Sequence, residues 1–329
     1  MKRTFFATVF LFLIFTWLNS QTIENTGKPI AEIYSDLHYN FNNSGKTTGF
    51  GLNRAYLGYK YFATDNFSAI IEIEIGTPED LAAGSKSRRY AYYREASINY
   101  SKDKLNITLG ITGTRLFDYQ QKFWGKRYIA NTFHSLNGYG FVADLGIAVD
   151  YKFSDLFQAD FTLMNGEGYS SLQMDNNLKS SLGVTFTPVK QLALRIYGDL
   201  AKQSGLWQTT LVGFAGYKND YCTLGAEISY KTNLDLISGH DAWGISGTGA
   251  INLTSKIEFF TRYDYSTSVI LPGDDREWNF SKDGTFLITG FQYTFNKVVK
   301  IALDYQSTFP SDASLTSTRF LYLNVLFKF

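Results

Sequence analysis

Regular alternation of apolar and polar residues is the feature that most restricts how this chain can fold. It is clearest in the final nine residues, where every second position is apolar: Leu321, Leu323, Val325, Phe327 and Phe329. Successive side chains of a β-strand point to opposite faces, so this segment is predicted to form a strand with one apolar face. The other face carries polar side chains, and the two faces must therefore meet different surroundings.

The same alternation recurs in sixteen segments, each bounded by clusters of Gly, Asn, Asp, Ser or Pro. The predicted strands cover residues 30–41, 50–63, 68–76, 90–101, 105–114, 139–152, 157–165, 178–187, 192–201, 207–218, 222–232, 242–253, 257–267, 285–295, 299–307 and 318–329. Proline breaks the hydrogen-bond ladder of a strand. We expect Pro29 before the first strand, Pro188 in a turn, and Pro78, Pro272 and Pro310 in loops. The sequence therefore predicts an all-β chain.

The connections between these segments alternate between short and long. Seven tight turns, such as residues 64–67 and 101–104, alternate with eight generally longer connections, of which the longest spans residues 115–138. A sixteen-stranded antiparallel barrel with both ends in the periplasm has seven short periplasmic turns and eight longer external loops. The pattern predicts a transmembrane antiparallel β-barrel of about 16 strands.

Alternation alone would also suit a soluble barrel or sandwich whose apolar face points inward. Sixteen strands, however, enclose an interior too wide for side chains to fill, which favours an apolar face toward lipid and a charged face toward water. A terminal aromatic residue such as Phe329 is typical of the closing strand of an outer-membrane barrel, and we expect the barrel-assembly machinery to recognise it. We therefore predict the outer membrane of a Gram-negative bacterium as the location and its lipid as a partner.

The amino terminus has the order of a secretory signal. Lys2 and Arg3 precede an apolar run over residues 5–18, which is too short to cross a bilayer comfortably. We expect residues 1–20 to be a signal peptide and residues 21–329 to form the barrel. Without Lys2 and Arg3 the formal charge falls from +1 to −1, so electrostatics gives no basis for nucleic-acid binding. Cys222 is the single cysteine, which excludes an internal disulfide.

Charged residues alternate with the apolar ones and are predicted to line a water-filled interior. The candidate pore-wall residues are Arg54, Glu72, Glu74, Glu95, Asp144, Arg195, Asp199, Arg262 and Asp264. Acids outnumber bases on the predicted inner face as a whole, so this wall does not form an anion funnel. Tyr and Phe, 23 and 28 in number, cluster near the predicted turns, as in the interfacial girdle of membrane barrels.

Several short motifs resemble the phosphate-selective porin O and P family. They are Asn165-Gly-Glu-Gly168, residues 175–179, Val184-Thr-Phe-Thr-Pro188, Arg54-Ala-Tyr-Leu-Gly58 and Arg94-Glu-Ala96. The resemblance implies a sixteen-stranded outer-membrane channel, commonly a homotrimer, whose third external loop folds into the lumen. It would place a basic and aromatic constriction there, formed by Arg115, Lys122, Trp124, Lys126, Arg127 and Tyr128. Cationic groups at a constriction attract anions, whereas the wall acids favour a mixed-charge pore for small hydrophilic solutes.

Two other functions stay open. The order His134-Ser-Leu-Asn-Gly138 superficially resembles the site of outer-membrane phospholipase, in which a His base activates a Ser nucleophile, but Ser135 follows the His directly. A closed structural or adhesive barrel, whose loops bind a partner, is the other alternative. His38 and His240 are isolated, and Asp274, Asp275 and Glu277 fit a solvated loop better than a calcium site. We expect a non-enzymatic channel with neither cofactor nor metal.

Overall fold

A computed structural model describes residues 26–42, 48–75, 91–173 and 176–329, and within these ranges the chain forms a closed antiparallel barrel of sixteen strands. Each strand pairs with its sequence neighbours, and β1 pairs with β16. The strands are β1 Thr26–Asn40, β2 Gly49–Phe62, β3 Phe67–Ile75, β4 Ala91–Lys102, β5 Leu105–Gly113, β6 Ala143–Lys152, β7 Phe157–Met164, β8 Lys179–Val189, β9 Leu192–Gln203, β10 Leu206–Lys218, β11 Cys222–Thr232, β12 Ala242–Asn252, β13 Ile257–Ser268, β14 Gly284–Thr294, β15 Val299–Pro310 and β16 Thr318–Lys328. The predicted fold class is confirmed, whereas the predicted signal peptide and Pro78 lie outside the described residues.

The two largest errors in the predicted strand bounds are at β1 and β6. β1 begins at Thr26, so Pro29 lies inside a strand rather than before it. The ladder tolerates this proline because the N–H of Ala31 points toward β16, where it meets the last residue, Phe329. The nitrogen of Pro29 points to the same side as that of Ala31 but lies before the paired part of the β1–β16 ladder. Its missing N–H therefore breaks no bond to β16. β6 begins at Ala143 rather than at residue 139, because the preceding residues belong to a folded loop.

Two more prolines lie at strand ends rather than in connections. Pro188 belongs to β8, at an irregular step in its pairing with β9, and Pro310 is the last residue of β15. Both positions lie at the margin of the sheet, where a missing N–H costs little.

Apolar side chains cover the outside of the barrel, and charged side chains point inward. The outward-facing Ile196 is 74% exposed, whereas its neighbour Arg195 is 5% exposed. Ile71, Ile73 and Ile75 likewise face outward, as predicted. A belt of exposed apolar side chains around a closed barrel suits contact with lipid, because closure lets the backbone polar groups along the ladders pair within the wall. Within the described ranges, no helix has the length and apolar character needed to cross a membrane.

The connections confirm the short and long alternation with one exception. β9 and β10 were predicted to be joined by a longer external connection, but only Ser204 and Gly205 join them. Their φ angles are 50° and 88°, as a tight two-residue hairpin requires. The external connection between β3 and β4 lies outside the described residues.

The connection between β5 and β6, residues 114–142, is called loop 3 below. It contains helix α1, Arg115–Trp124, and the single-turn helix α2, Phe133–Leu136. α1 buries Leu116, Phe117, Gln120 and Trp124, a spacing that gives a helix one buried side. It ends at Gly125, whose φ of 65° is the left-handed value that commonly closes a helix.

Candidate functional site: a constriction built by loop 3

Loop 3 lies inside the barrel and packs against its inner wall. The Trp124 ring stands 6.2 Å from the Phe260 ring of β13, and the Tyr128 ring stands 6.4 Å from Tyr34 of β1. A continuous buried cluster joins loop 3 to β1, β2 and β12 through β16; it comprises Tyr34, Tyr56, Trp124, Tyr128, Ile129, Ala250, Phe260, Ile288, Ala302 and Leu326. Each large apolar side chain buried in this way contributes about 1.5–3 kcal/mol. Much of the interior is therefore a packed core.

Wall side chains also donate hydrogen bonds to the main chain of loop 3. Lys231 Nζ donates to the Tyr139 carbonyl at 2.7 Å, and Arg262 Nη1 donates to the Asn131 carbonyl at 2.5 Å. Arg195 Nη2 donates to the Arg115 carbonyl at 3.3 Å. A carbonyl buried away from water needs such a partner. Three bases of the wall thus hold the loop.

Five predicted wall residues face inward but are covered by protein: Asp144, Arg195, Asp199, Arg262 and Asp264. Their charges are compensated locally. Arg195 pairs with Asp160 at 2.6 Å, Arg262 with Asp264 at 2.5 Å, and Lys179 with Asp199 at 3.1 Å. Loop 3 and neighbouring side chains cover four of them, and Arg195 lines the cavity described below. Alternation could not predict this outcome, because it identifies the inner face without showing what packs on it.

Asp144 is compensated by backbone donors instead of a cation. Its carboxylate accepts hydrogen bonds from the N–H groups of Leu145, at 2.8 Å, and Gly166, at 2.6 Å. Asp144 therefore joins the start of β6 to the residues that follow β7.

The other predicted wall residues, Arg54, Glu72, Glu74 and Glu95, lie on β2, β3 and β4, beside the part of the wall on which loop 3 packs. Arg54 forms an ion pair with the fully buried Glu74. Glu72 and Glu95 stand directly opposite each other in the β3–β4 ladder. Arg54, Glu72 and Glu95 are half-buried, whereas Glu74 is fully buried.

Arg94 is a functional candidate that the sequence pattern missed. The β3–β4 register shifts between Glu72 and Ile73, so that Glu95 pairs with Glu72 while Tyr93 pairs with Ile73. Arg94 is the extra residue of this bulge, and Tyr93 faces outward at 55% exposure while Arg94 is 8% exposed. The bulge therefore turns two consecutive residues, Arg94 and Glu95, toward the interior. Strict alternation assigns one of them to the outside.

The six predicted constriction residues divide into two groups. Trp124, Lys126 and Tyr128 are buried in the packing of loop 3. Lys126 pairs with Glu258 at 2.6 Å, and burial lowers the pKa of this lysine while Glu258 acts in the opposite direction. Tyr128 Oη donates to Gln292 Oε1 at 2.8 Å. These three hold the loop in place.

Arg115, Lys122 and Arg127 form the second group, together with Asp118. Lys122 is exposed, and Arg115 bonds Asp150 with its Nε at 2.7 Å. Arg127 stands 6.0 Å from the Tyr56 ring, and its Nη2 has no hydrogen-bond partner. Burial raises the pKa of Asp118, whereas Arg115, Arg94, Lys122 and Arg127 lower it. Bases of loop 3 and Arg94 of β4 therefore act on the same carboxylate.

A polar cavity of about 500 Å³ opens below α1 toward the periplasmic turns. Arg115, Asp118, Tyr119 and Lys122 of α1 line it, as does Lys104 of the β4–β5 turn. On the opposite side of loop 3, Tyr169 of the β7–β8 connection donates to Glu74 at 3.3 Å. The cavity is otherwise lined by β4 to β7 and by β9, whereas Tyr169 contacts Glu74 of β3.

His134, the candidate base of the enzyme alternative, contacts Ser229 rather than Ser135. Its Nε2 lies 2.7 Å from Ser229 Oγ, and its Nδ1 lies 3.8 Å from Glu227. The imidazole is 0% exposed, so a substrate has no route to these groups. A cavity beside Glu227 measures about 20 Å³, enough for one water. His134 is best described as an anchor of loop 3.

The other two histidines, His38 and His240, each contact a neighbouring side chain. His38 bonds Asp36 at 2.5 Å, and His240 stacks on Trp278 at 4.1 Å. Among the described residues there is no group of three or more His, Cys, Asp or Glu side chains that could hold a metal ion.

The barrel is similar to several solved structures along nearly its whole length. The outer-membrane channel DcaP of Acinetobacter baumannii matches with a TM-score of 0.67 at 12% identity, over 94% of this chain and 99% of that one. An anion-selective porin from Comamonas acidovorans matches with a TM-score of 0.67 at 11% identity, over 93% and 100%. OmpT of Vibrio cholerae in its trimer form gives 0.61 at 14%, over 93% and 99%. The fold is that of outer-membrane porins.

No protein-family profile matches the chain, and no curated protein matches its sequence. The likeness to porins therefore concerns architecture, and at these identities it does not extend to a solute. The resemblance to phosphate-selective porins is supported only at the level of this fold.

Proposed function

We propose that the chain forms a channel in the outer membrane of a Gram-negative bacterium, through which small hydrophilic solutes diffuse passively. The observation that carries this proposal is the placement of loop 3. The loop packs on β9 and β10 and on β12 through β2, and the half-buried Glu72 and Glu95 of β3 and β4 lie beside this packed region. A lipid-facing barrel with a charged inner sector is the arrangement of a diffusion channel. DcaP is itself described as an outer-membrane channel.

The balance of charges argues for a mixed-charge pore rather than one selective for phosphate. Both signs of charge occur in this region: Lys122, Arg127 and Arg94 act on the Asp118 carboxylate, and Glu72 and Glu95 are half-buried acids of β3 and β4. Arg195 and Arg262, which would have strengthened an anion path, are instead paired beneath loop 3. Selectivity among small ions is therefore expected to be weak.

The two alternatives have less support. A phospholipase-like enzyme needs an accessible nucleophile, and the serine bonded to His134 is 1% exposed. A closed structural or adhesive barrel needs no interior cavity of about 500 Å³ lined by charged side chains. Assembly into a homotrimer is part of the proposal, supported by the trimer form of a protein with this fold; crosslinking in native membranes tests it.

Planar-bilayer recording of the purified protein tests the channel. We expect discrete ion-conducting steps, with a reversal potential in a salt gradient close to that of a non-selective pore. Stable insertion without any conducting step would contradict the proposal and favour the closed barrel.

Substitution of the exposed base of α1 gives the first check on the constriction. Lys122→Ala should shift the reversal potential in the direction of higher cation selectivity, because it removes an exposed positive charge from the last turn of α1. Lys282→Ala, in the external β13–β14 connection, is the matched control. An equal effect of the two variants would place Lys122 away from the ion path.

A further inference from the structure

The cavity of about 500 Å³ below α1, called the α1 cavity below, combines polar side chains with room for a solute. Its volume falls within the range of about 300–1,000 Å³ that is usual for small-molecule sites. It lies inside the barrel, with α1 on one side and β4 to β7 and β9 on the other. The lining side chains include five bases and four acids, so their formal charges nearly cancel.

The floor of the α1 cavity is an ion pair. Arg195 of β9 bonds Asp160 of β7 through two nitrogens, Nη1 at 2.6 Å and Nη2 at 2.9 Å. The two side chains are only 4% and 9% exposed. A guanidinium held in this bidentate way is already neutralised by its partner. The floor therefore presents polar atoms without a net charge.

The wall above this floor carries carboxylates that a solute can reach. Asp150 accepts hydrogen bonds from Nε and Nη2 of Arg115, each at 2.7 Å, and from Asn106 at 3.1 Å. Arg115 also lies 3.5 Å from Asp118. The Asp150 and Asp118 side chains are nevertheless 36% and 39% exposed. Because a carboxylate has about four lone-pair sites, both can accept further hydrogen bonds from a solute.

A donor and an aromatic ring lie beside these acceptors. Lys122 in the last turn of α1 is exposed, Tyr119 one turn earlier is half-buried, and both line the cavity. Arg115 and Lys122 balance Asp118 and Asp150 in formal charge. The Tyr119 ring adds a surface on which the C–H groups of a ring-shaped solute can pack.

This balance disfavours a solute with a net charge. An anion beside Arg115 meets the two carboxylates that already contact this guanidinium, and a cation beside those carboxylates meets Arg115 and Lys122. A hydroxyl group carries no charge, and it can both donate and accept a hydrogen bond. A compact solute with several hydroxyl groups can therefore use the donors and the acceptors of the cavity together.

We infer that the α1 cavity binds neutral polyhydroxylated solutes of monosaccharide to disaccharide size. The inference rests on the proposed channel function, to which it adds a solute class. Binding is expected to be weak, with a Kd of about 1 mM, because the hydrogen bonds to a neutral solute replace bonds to water. Weak binding suits a channel, since a solute must leave as readily as it enters.

Equilibrium binding to the purified barrel tests the inference. Glucose, anionic glucuronate and cationic glucosamine share one pyranose ring. Each is titrated by saturation-transfer NMR at mildly acidic pH, where glucosamine is protonated, in lauryldimethylamine oxide, a detergent without a sugar headgroup. We expect glucose to bind with a Kd of about 1 mM and more tightly than either charged relative. Absence of glucose binding at high millimolar concentration, or tighter binding of a charged relative, would overturn the inference.

Two variants connect the preference to the cavity. Asp150→Asn keeps the shape of the side chain but leaves an excess of positive charge. It should raise glucuronate affinity about tenfold, the effect of one charge-assisted contact, so that glucuronate binds more tightly than glucose. Lys122→Gln leaves an excess of negative charge and should shift the preference toward glucosamine.

Asp220→Asn is the matched control for Asp150→Asn. Asp220 is exposed in the β10–β11 turn and does not line the cavity, so its replacement should keep the wild-type order of affinities. Heat-modifiable gel mobility verifies that each barrel is folded. Lys122→Gln alters an exposed side chain and carries the test if Asp150→Asn does not fold.

The outcomes separate this inference from the channel proposal. Glucose binding without salt conductance would overturn the channel and leave a binding site without its proposed role. Salt conductance without glucose binding would overturn only the inference. A wild-type order of affinities in both Asp150→Asn and Lys122→Gln would also overturn it, because glucose would then bind elsewhere.

Discussion

At the scale of single residues, three inner-wall bases hold loop 3 in place. Arg195, Lys231 and Arg262 each donate to a carbonyl of loop 3, and two of them are also paired with aspartates. A sequence pattern identifies such residues as inward-facing and charged. Whether these charges reach water depends on how loop 3 packs over them. Loop 3 has no apolar–polar alternation, so the sequence pattern could not predict which charges it covers.

His134 gives loop 3 a pH dependence whose sign can be stated. Burial lowers the pKa of His134 to about 3, and Lys231, Arg262 and Lys179 add to the effect. Glu227 is the facing acid, 3.8 Å away. When loop 3 is released, the imidazole returns to a pKa of about 6.5 and takes up a proton. Loop 3 is therefore expected to lose stability as pH falls from about 6.5 toward 3, by up to about 1.4 kcal/mol per pH unit.

Channel noise between pH 7 and pH 4 measures this release. Acidification should increase current fluctuations in the wild type, and His134→Gln should remove most of the change. His240→Gln, in the external β11–β12 connection, is the control. Asp118, whose pKa is raised by burial, acts in the opposite direction in the same range. Unaltered pH dependence in His134→Gln would assign the fluctuations to another group.

At the scale of elements, alternation predicted the strands, and the family resemblance implied that loop 3 enters the lumen, but neither predicted how the loop packs there. Alternation placed β11 at its observed bounds, yet it extended β6 back to residue 139. Tyr139 is apolar and correctly spaced, but it is buried in a cluster with Phe133 and Leu234. A periodic pattern does not distinguish a strand from an irregular segment packed on a wall. The Arg94 bulge was missed for a related reason, since one inserted residue reverses the assigned faces on one side of it.

Tyr128 tests how firmly loop 3 is held. Tyr128→Phe removes the bond to Gln292 and leaves a buried amide oxygen without that donor, at a cost of about 1–3 kcal/mol. We expect faster cleavage of loop 3 by an added protease, whereas Tyr263→Phe on the outer face should have no effect. Equal cleavage rates would show that the apolar cluster alone holds the loop.

The two-residue hairpin between β9 and β10 depends on its glycine. Gly205 has a φ of 88° and open space around it, so Gly205→Ala adds backbone strain of about 1–2 kcal/mol without a clash. Gly247 also has open space but no positive φ, which makes Gly247→Ala the matched control. The urea midpoint of unfolding in detergent should fall for the first variant only. Equal midpoints would indicate that the hairpin relaxes.

At the scale of the whole molecule, closure could be predicted because sixteen strands of one repeating pattern leave no other way to pair the first and last. The observed β1–β16 ladder runs from Glu32 opposite Lys328 to Asn40 opposite Phe320. The solute could not be predicted, because it depends on which inner charges remain uncovered. That outcome is decided by loop 3 packing and by one bulge, neither of which changes the overall fold.

Phe329 has a backbone role and a side-chain role that can be separated. Its N–H donates to the Ala31 carbonyl at 2.8 Å, which adds a last pair to the closing ladder. Deletion of Phe329 should lower refolding yield in detergent, measured by heat-modifiable gel mobility. Phe329→Ala keeps the backbone pair and should refold normally, while assembling less well in cells if the ring is recognised there. Normal cellular assembly of Phe329→Ala would contradict recognition of the ring.

Pro29 lies opposite Tyr59 in the β1–β2 ladder, three residues before Glu32, the first residue of β1 in its register with β16. Its nitrogen points to the same side as the N–H of Ala31, which donates to Phe329, but a proline has no hydrogen there to donate. A strand added beside this part of β1 would therefore lack one ladder bond at position 29, and edge-to-edge extension of the sheet is disfavoured there.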